Sequence, residues 1–327
     1  MSVEQISFPG CDTPTAPLGV GTWAWGDKAT WGMGGYDPDL TEATIAEAWE
    51  ASAEAGVTLF DTAEVYGGGE SERIIGKLLA RDPERRASLV LATKFMPMPY
   101  KLHVKGALRS ALRRSIERMG VDHVDLYQIH GPISLRSNRA LADALAAVVD
   151  EGLTRAVGVS NYSTKETQRI HAALAANGVP LASNQVEYSL LRRRPETSGL
   201  LETCRHLGVV LLAYSPIGMG RLTGKYTAAN PPPGKRNFSS HPMEEVDEVV
   251  AVLRRIGSTH GRTPSQVALR WLIDKGAVPI PGAKNGEQAR QNTGALGWHL
   301  TDDEVAELDG AAIEPKRGIQ NRIWQHG

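Results

Sequence analysis

Short apolar runs alternate along this chain with longer stretches of helical period, and that alternation constrains the fold most, because strands separated by helices lie parallel with both faces covered. The runs fall at residues 18–22, 58–61, 89–93, 126–130, 156–159, 183–187, 209–214 and 277–280. Eight strand-and-helix units without a break in composition predict an α/β chain, a (β/α)8 TIM barrel, with residues 1–327 as one domain. Two average domains would also fit in 327 residues, but nothing in the sequence divides them.

The helix signals agree with this period. Asp39 with Glu42 reads as a capping box, Ile45, Ala48, Trp49 and Ser52 as one buried face, and Gly56 as a stop. Val104, Leu108, Leu112 and Ile116 form a second stripe that Gly120 closes. Thr263, Pro264 and Gln266 read as cap, first helical residue and capping partner, and Thr301 with Glu304 repeats the device. Two stretches exceed what a barrel requires. Residues 26–38, with Trp31, Gly32, Gly34, Gly35 and Tyr36, predict a loop over the barrel mouth, and residues 218–242, with Pro231, Pro232 and Pro233, an irregular one.

A formal charge of −1 supplies no electrostatic reason for a nucleic acid or an anionic membrane as partner. The run Arg192, Arg193, Arg194 is short and isolated, and reads as a solvated loop. Cys11 and Cys204 are the only cysteines, which suits a reducing, cytoplasmic compartment, and the N-terminus lacks the pattern of a signal peptide. Apolar runs such as VVLLAY are strand-sized, far below the ~20 residues that cross a bilayer.

Common site motifs fail. Gly19, Gly21 and Gly26 have the wrong spacing for a dinucleotide fingerprint, and GRLTGKY misses a phosphate loop by one residue and a hydroxyl. No HExxH or GxSxG occurs, so neither a zinc protease nor a serine hydrolase is indicated.

Asp61, Tyr66, Lys94 and His130 follow successive strands in FDTAEVYG, VLATKF and DLYQIH, which places them together on one face of a barrel. A free tyrosine has a pKa of about 10 and needs a neighbouring cation to leave a phenolate behind. Lys94 could be that cation, Asp61 the carboxylate that holds it, and His130 the group that orients a substrate oxygen. That set is the chemistry of an acid catalyst for carbonyl reduction.

At this point the chain resembles the aldo-keto reductases over nearly its whole length. FDTAEVYGGGESERIIGKLL, VDHVDLYQIHGP, EGLTRAVGVSNYS, SNQVEYSLLRRRPE, LLAYSPIGMGRL and IPGAKNGEQARQN match in the family's order. The resemblance implies that Tyr66 donates the proton, that Lys94 and Asp61 depress its pKa, that His130 positions the carbonyl, and that a nicotinamide cofactor supplies hydride without a metal. It implies that Ser160, Asn161 and Gln185 hold the nicotinamide carboxamide and that Tyr214 stacks on the ring. Ser215, Pro216, Gly218, Gly220, Arg221 and Leu222 would fold over the pyrophosphate, with Gly21, Thr22, Trp23 and Asp61 along the same groove. Gly282, Lys284, Gln288, Gln291 and Asn292 would face the adenine end, Lys284 meeting a 2′-phosphate. The IPGAKN arrangement is similar to a largely bacterial and plant branch, in which the cation comes two residues after Gly282, and it implies NADP rather than NAD. Trp23, Trp25, Met96 and Trp324 are the candidate substrate wall.

The function expected is therefore NADP(H)-dependent reduction of small-molecule aldehydes or ketones, by a monomer or homo-oligomer. Two alternatives stay open: a dehydrogenase working in the alcohol-oxidising, pyridoxine-type direction, and a binding protein like the potassium-channel β subunits, which also resemble this family.

Overall fold

The computed structural model describes residues 4–26, 39–233, 241–314 and 323–327. Among the described residues ten strands occur in this order: β1 (Ile6–Phe8), β2 (Cys11–Thr15), β3 (Gly19–Gly21), β4 (Leu59–Asp61), β5 (Val90–Phe95), β6 (Val124–Ile129), β7 (Thr154–Ser160), β8 (Leu181–Glu187), β9 (Val210–Tyr214) and β10 (Val278–Pro279). Strands β3 to β10 pair in sequence order, each parallel to the next, so every one of the eight expected runs supplies a barrel strand. The last gap closes through one bridge rather than a ladder, with the Gly21 amide donating to Pro281 O at 3.0 Å and Gly21 facing Gly282. A side chain at Gly21 would put its Cβ 2.8 Å from Ile280 O, so only glycine lets the two ends meet.

Strand alternation sorts the core into two parts. Leu59, Val90, Ala92, Leu126, Ala156 and Leu212 pack inside the barrel, whereas Phe60, Leu91, Tyr127 and Val157 pack outward against helices. Two residues beyond the inner apolar positions, the same inward face carries Asp61, Lys94, Gln128 and Tyr214, so the strand period itself builds a polar layer at the C-terminal mouth. At the other end the antiparallel hairpin β1–β2 places Phe8 and Cys11 in the inner cluster as a floor. The sequence reading did not include this hairpin.

The helical expectations hold at Gly56 and Gly120, both left-handed, and at the capping boxes of Thr263 with Gln266 and Thr301 with Glu304. One is corrected: helix Glu42–Glu54 is capped by Thr41 with Thr44, not by Asp39 with Glu42, because the helix begins at Glu42 itself. Residues 27–38 of the first long loop and 234–240 of the second lie outside the described residues. Among the described residues no helix is long and apolar enough to cross a membrane.

Candidate active site

The polar layer is organised around Asp61, which is 2% exposed. Its Oδ2 pairs with the Lys94 ammonium, while Oδ1 accepts from Gln128 Nε2 at 3.1 Å and Gln185 Nε2 at 2.8 Å. Ser183 Oγ in turn approaches Gln128 Oε1 at 3.4 Å. Side chains from three other strands thus satisfy one buried carboxylate, the condition for keeping a charge in a dry interior. Gln128 sits inside DLYQIH and was missed as a site residue; its inward position, two after Leu126, was the signal that could have found it.

Lys94 uses all three of its donors. Besides Asp61 it donates to Thr62 O at 2.8 Å and to Tyr66 OH at 3.2 Å. Burial disfavours its charged form, but Asp61 and Tyr66 outweigh that and hold its pKa above the ordinary lysine value. Tyr66 reaches this position because Gly67, Gly68 and Gly69 all take positive φ. A Cβ on Gly67 would lie 2.1 Å from Gly26 O, so the turn that presents the phenol requires glycine there.

The Tyr66 phenol is pushed up, not depressed as expected: burial raises it, Lys94 pulls it down and the Asp61 charge raises it further. Desolvation of a phenolate wins over one ammonium that a carboxylate already neutralises. Tyr66 therefore keeps its proton at neutral pH, and among the described residues no group accepts that proton. His130 packs edge-on against Tyr66 with ring centroids 5.7 Å apart, and against Trp324 at the same separation. Burial and the nearby Lys94 charge push its pKa well below the ordinary histidine value, so the ring is neutral. Its Nδ1 is buried without a partner among the described residues. The tautomer with the proton on Nε2 avoids a stranded N–H donor there.

These groups border a cavity of about 340 Å³ at the barrel mouth. Trp23, Tyr66, His130, Tyr214 and Trp324 form much of its wall. Trp25 and Met96 do not belong to it. Trp25 is 3% exposed, with its indole N–H on Ala283 O at 2.7 Å and its ring beside Phe60, and Met96 is buried with its carbonyl under Lys101.

Eight of the nineteen proposed cofactor residues, Gly21, Trp23, Asp61, Ser160, Asn161, Gln185, Tyr214 and Ser215, border this cavity. Ser160 Oγ donates to Gln185 O at 2.9 Å, and the Asn161 amide N–H donates to the same carbonyl, with Asn161 at φ 63°. Tyr214 OH donates to Asn161 Oδ1 at 3.0 Å and accepts from Gln325 Nε2 at 2.9 Å. Because Gln185 Nε2 is committed to Asp61, its Oε1 is the atom left to accept from a carboxamide. After Ser215, itself at φ 49°, Pro216 leads into the turn Gly218–Thr223, where Gly218, Met219 and Gly220 have positive φ; the Gly218 amide donates to Ser215 O at 2.9 Å and the Gly220 amide to Ile217 O at 3.0 Å, so the turn is closed by its own backbone. Arg221 braces it by donating to Gly218 O at 3.2 Å, and Leu222 is a core side chain whose backbone N–H donates to Ile217 O at 3.2 Å. The Thr22 hydroxyl is likewise committed, to Asp61 O at 3.0 Å and Ser71 Oγ at 2.7 Å.

At the far end Lys284 and Gly282 precede helix Gly286–Thr293, which Asn285 caps. Gln288 Oε1 accepts from the Lys284 amide at 3.1 Å and Asn292 Nδ2 donates to Gly282 O at 3.2 Å. Gln291 turns away from the groove toward Thr263 and Gln266. The arginine run is also corrected: Arg192 is 3% exposed beside Glu187, and Arg193 binds Glu196 and Asp309, so this segment ties the barrel to its last helices rather than lying in solvent. Glu187 and Gln325, which hold Tyr214 from behind, were not anticipated; a buried Glu at a strand end and a lone glutamine beyond the last helix give no pattern to read.

The chain is similar to known proteins along most of its length. The chain is 39% identical over 318 residues to the chloroplastic pyridoxal reductase of Arabidopsis thaliana, covering 94% of this chain and 86% of that protein. Its structure superimposes on a glycerol dehydrogenase from Gluconobacter oxydans with a TM-score of 0.80 at 28% identity, over 98% and 96% of the two chains. An aldo/keto reductase from Klebsiella pneumoniae, solved with NADP and acetate, gives 0.74 at 26% identity over 97% and 98%. The model of the aldo/keto reductase family matches residues 17–313, and the chain belongs to that family.

Proposed function

We propose that this chain is an NADP(H)-dependent carbonyl reductase in which Tyr66 is the general acid. The observation that carries the reading is a protonated, half-buried phenol whose oxygen is held by Lys94 and whose proton has no acceptor among the described residues, at the wall of a largely aromatic cavity. A nicotinamide cofactor would supply hydride. The residues present fit it: Tyr214 offers a fixed ring face, Asn161 and Gln185 amide groups, and Lys284 a cation beside a helix N-terminus. The NADP in the Klebsiella structure supports the same choice.

In the reduction, Tyr66 passes its proton to the carbonyl oxygen as negative charge develops there, and Lys94 stabilises the phenolate that remains. Neutral His130 donates to the same oxygen and fixes its direction. Asp61, held by Gln128 and Gln185, keeps Lys94 charged. Trp23 and Trp324 exclude water. With its pKa raised, the phenol stays protonated at neutral pH, the form that proton donation to a carbonyl oxygen requires.

The Arabidopsis relative's name makes pyridoxal the first aldehyde to test. NADPH oxidation should be seen with pyridoxal or another member of an aromatic and aliphatic aldehyde panel, with the pro-R deuterium of labelled NADPH recovered in the alcohol. Label retained on the oxidised cofactor, or no turnover across the panel, would overturn the reading. For cofactor choice, a charge-assisted phosphate contact is worth about 1.5–3 kcal/mol, so Lys284→Ala should weaken NADPH roughly ten- to a hundredfold and leave NADH unchanged. Equal losses for both cofactors would misplace the phosphate site.

A further inference from the structure

Tyr66 is joined to helix Glu70–Arg81 by three consecutive glycines, which have no side chains to anchor the turn that presents the phenol. The helix start has no side-chain cap either: its N-cap is Gly69, at φ 91°. Two neighbouring residues of its first turn, Ser71 and Glu72, supply the anchorage instead. Both are fully buried, and both bond to other elements of the barrel.

Glu72 accepts at both carboxylate oxygens. Its Oε1 takes the Thr93 hydroxyl at 2.6 Å, and its Oε2 takes Arg118 Nε at 2.6 Å. Thr93 precedes Lys94 on β5, so its side chain leaves the outer face of the strand while Lys94 points inward. Arg118, in the last turn of helix Val104–Met119, lies against the glycine turn; a Cβ on Gly69 would stand 2.8 Å from its Cδ. Ser71 makes a second tie, to the ends of β3 and β4. Its hydroxyl meets Thr22 Oγ1 at 2.7 Å and accepts from Thr62 Oγ1 at 2.9 Å, and Thr62 O is itself an acceptor of the Lys94 ammonium at 2.8 Å. The start of the helix that follows Tyr66 is thus bonded to the residue before Lys94 and to a residue that Lys94 holds.

A buried ion pair adds little stability over a well-packed apolar pair, so stability alone gives no reason for Glu72 and Arg118 at this place. We propose that Glu72, with Ser71 beside it, is a positioning residue for the reaction, which through Thr93 and Arg118 holds the Tyr66 hydroxyl at hydrogen-bond distance from the Lys94 ammonium. The proposal rests on Tyr66 being the general acid. The 3.2 Å contact between Lys94 Nζ and Tyr66 OH joins a strand to a glycine turn, and the attraction between an ammonium and a phenolate weakens as that gap widens. Glu72 touches neither reacting atom and acts only through this distance.

The informative substitution is Thr93→Val, which keeps the shape of the side chain and the Glu72–Arg118 pair and removes only the bond to β5. Glu72→Gln removes one of the two acceptors, Thr93→Ser keeps the hydroxyl, and Arg109→Gln takes a surface ion pair from the same helix as Arg118. In full-length protein labelled with carbon-13 at tyrosine Cζ, the Tyr66 resonance, identified by its loss in Tyr66→Phe, reports the Lys94 contact without turnover. It should move in Thr93→Val and Glu72→Gln and stay in place in Thr93→Ser and Arg109→Gln. With an aldehyde substrate, kcat should fall several-fold in Thr93→Val and about tenfold in Glu72→Gln, with KM for NADPH unchanged. Combined with Tyr66→Phe, neither substitution should lower the residual rate further, because the group they position is already gone. A Tyr66 resonance unmoved in Thr93→Val, or losses in kcat that multiply with that of Tyr66→Phe, would overturn the proposal. Full turnover in Tyr66→Phe would instead remove the general-acid reading and with it the catalytic role of Glu72, while the resonance still decides whether Glu72 sets the contact.

Discussion

Asp61 and Asp125 are both buried aspartates, both paired with a cation, and they sit at opposite ends of the same barrel. At the floor, Asp125 Oδ2 accepts from the Leu91 amide at 2.9 Å and meets Arg86 at 2.9 Å, with Arg155 at 3.6 Å from Oδ1. Arg86 directs its other bonds to the carbonyls of Leu89 and His123. The floor pair is therefore a clasp between loops. At the mouth, Lys94 turns one of its three bonds to a phenol that borders an open cavity, and two carboxamides hold the carboxylate. What distinguishes a site from a clasp is thus the third partner of the cation: backbone in one case, an ionisable group facing a cavity in the other.

The largest effect expected from this contrast is at the phenol. Tyr66→Phe should lower kcat by roughly two to four orders of magnitude while NADPH affinity and thermal stability stay near wild type, since only the transferable proton is lost. Near-normal turnover would break the contrast outright.

The two cations' partners can then be set against each other. Lys94→Met leaves Asp61 charged and unpaired in the interior, so it should cost both activity and about 3–5 kcal/mol of stability in denaturant titration. Asp125→Asn should cost about 1–3 kcal/mol of stability, with kcat for folded protein unchanged. A fall in kcat for Asp125→Asn with unaltered stability would mean that the floor is not merely a clasp.

Smaller effects sharpen the mouth itself. Gln128→Leu removes one donor from Asp61 and keeps the volume, so kcat should fall about fivefold, the equivalent of ~1 kcal/mol, with KM for NADPH unchanged. Loss of cofactor affinity instead would place Gln128 in the groove. The smallest change expected is no change: because burial and Lys94 hold His130 neutral, the reduction rate should show no limb near pH 6.5. The acid must be protonated to act, and the Tyr66 pKa is raised, so the rate should persist through neutral pH and decline only above about pH 10. A limb between pH 6 and 8 would contradict both directions.

The barrel was legible because its signal is repeated: eight apolar runs, each with caps that obey local rules such as Thr263 with Gln266. Asp61, Lys94 and His130 were legible as strand-end residues, and the structure brings them together with Tyr66. What escaped depended on contacts between distant parts of the chain. Trp25 looks like a pocket aromatic until Ala283 O accepts its N–H. Arg192 looks solvated until Glu187 closes on it. The hairpin β1–β2 is only three and five residues long, too short for a periodic signal. The direction of the Tyr66 shift was misjudged for a related reason: sequence shows that a lysine is near, but not how dry the space is that the phenol occupies.

The bridge between Gly21 and Gly282 carries one further implication, for the order in which the structure comes apart. Seven of the barrel's neighbouring strand pairs are ladders and one is a single contact, so local opening should begin there, and the Gly21 amide should exchange its hydrogen sooner than amides in β5 to β8. Since Gly21 also borders the active-site cavity, a bound cofactor would act as a rivet across the weakest join. Its arrival and departure should then be recorded at that one amide as slowed and restored deuterium uptake.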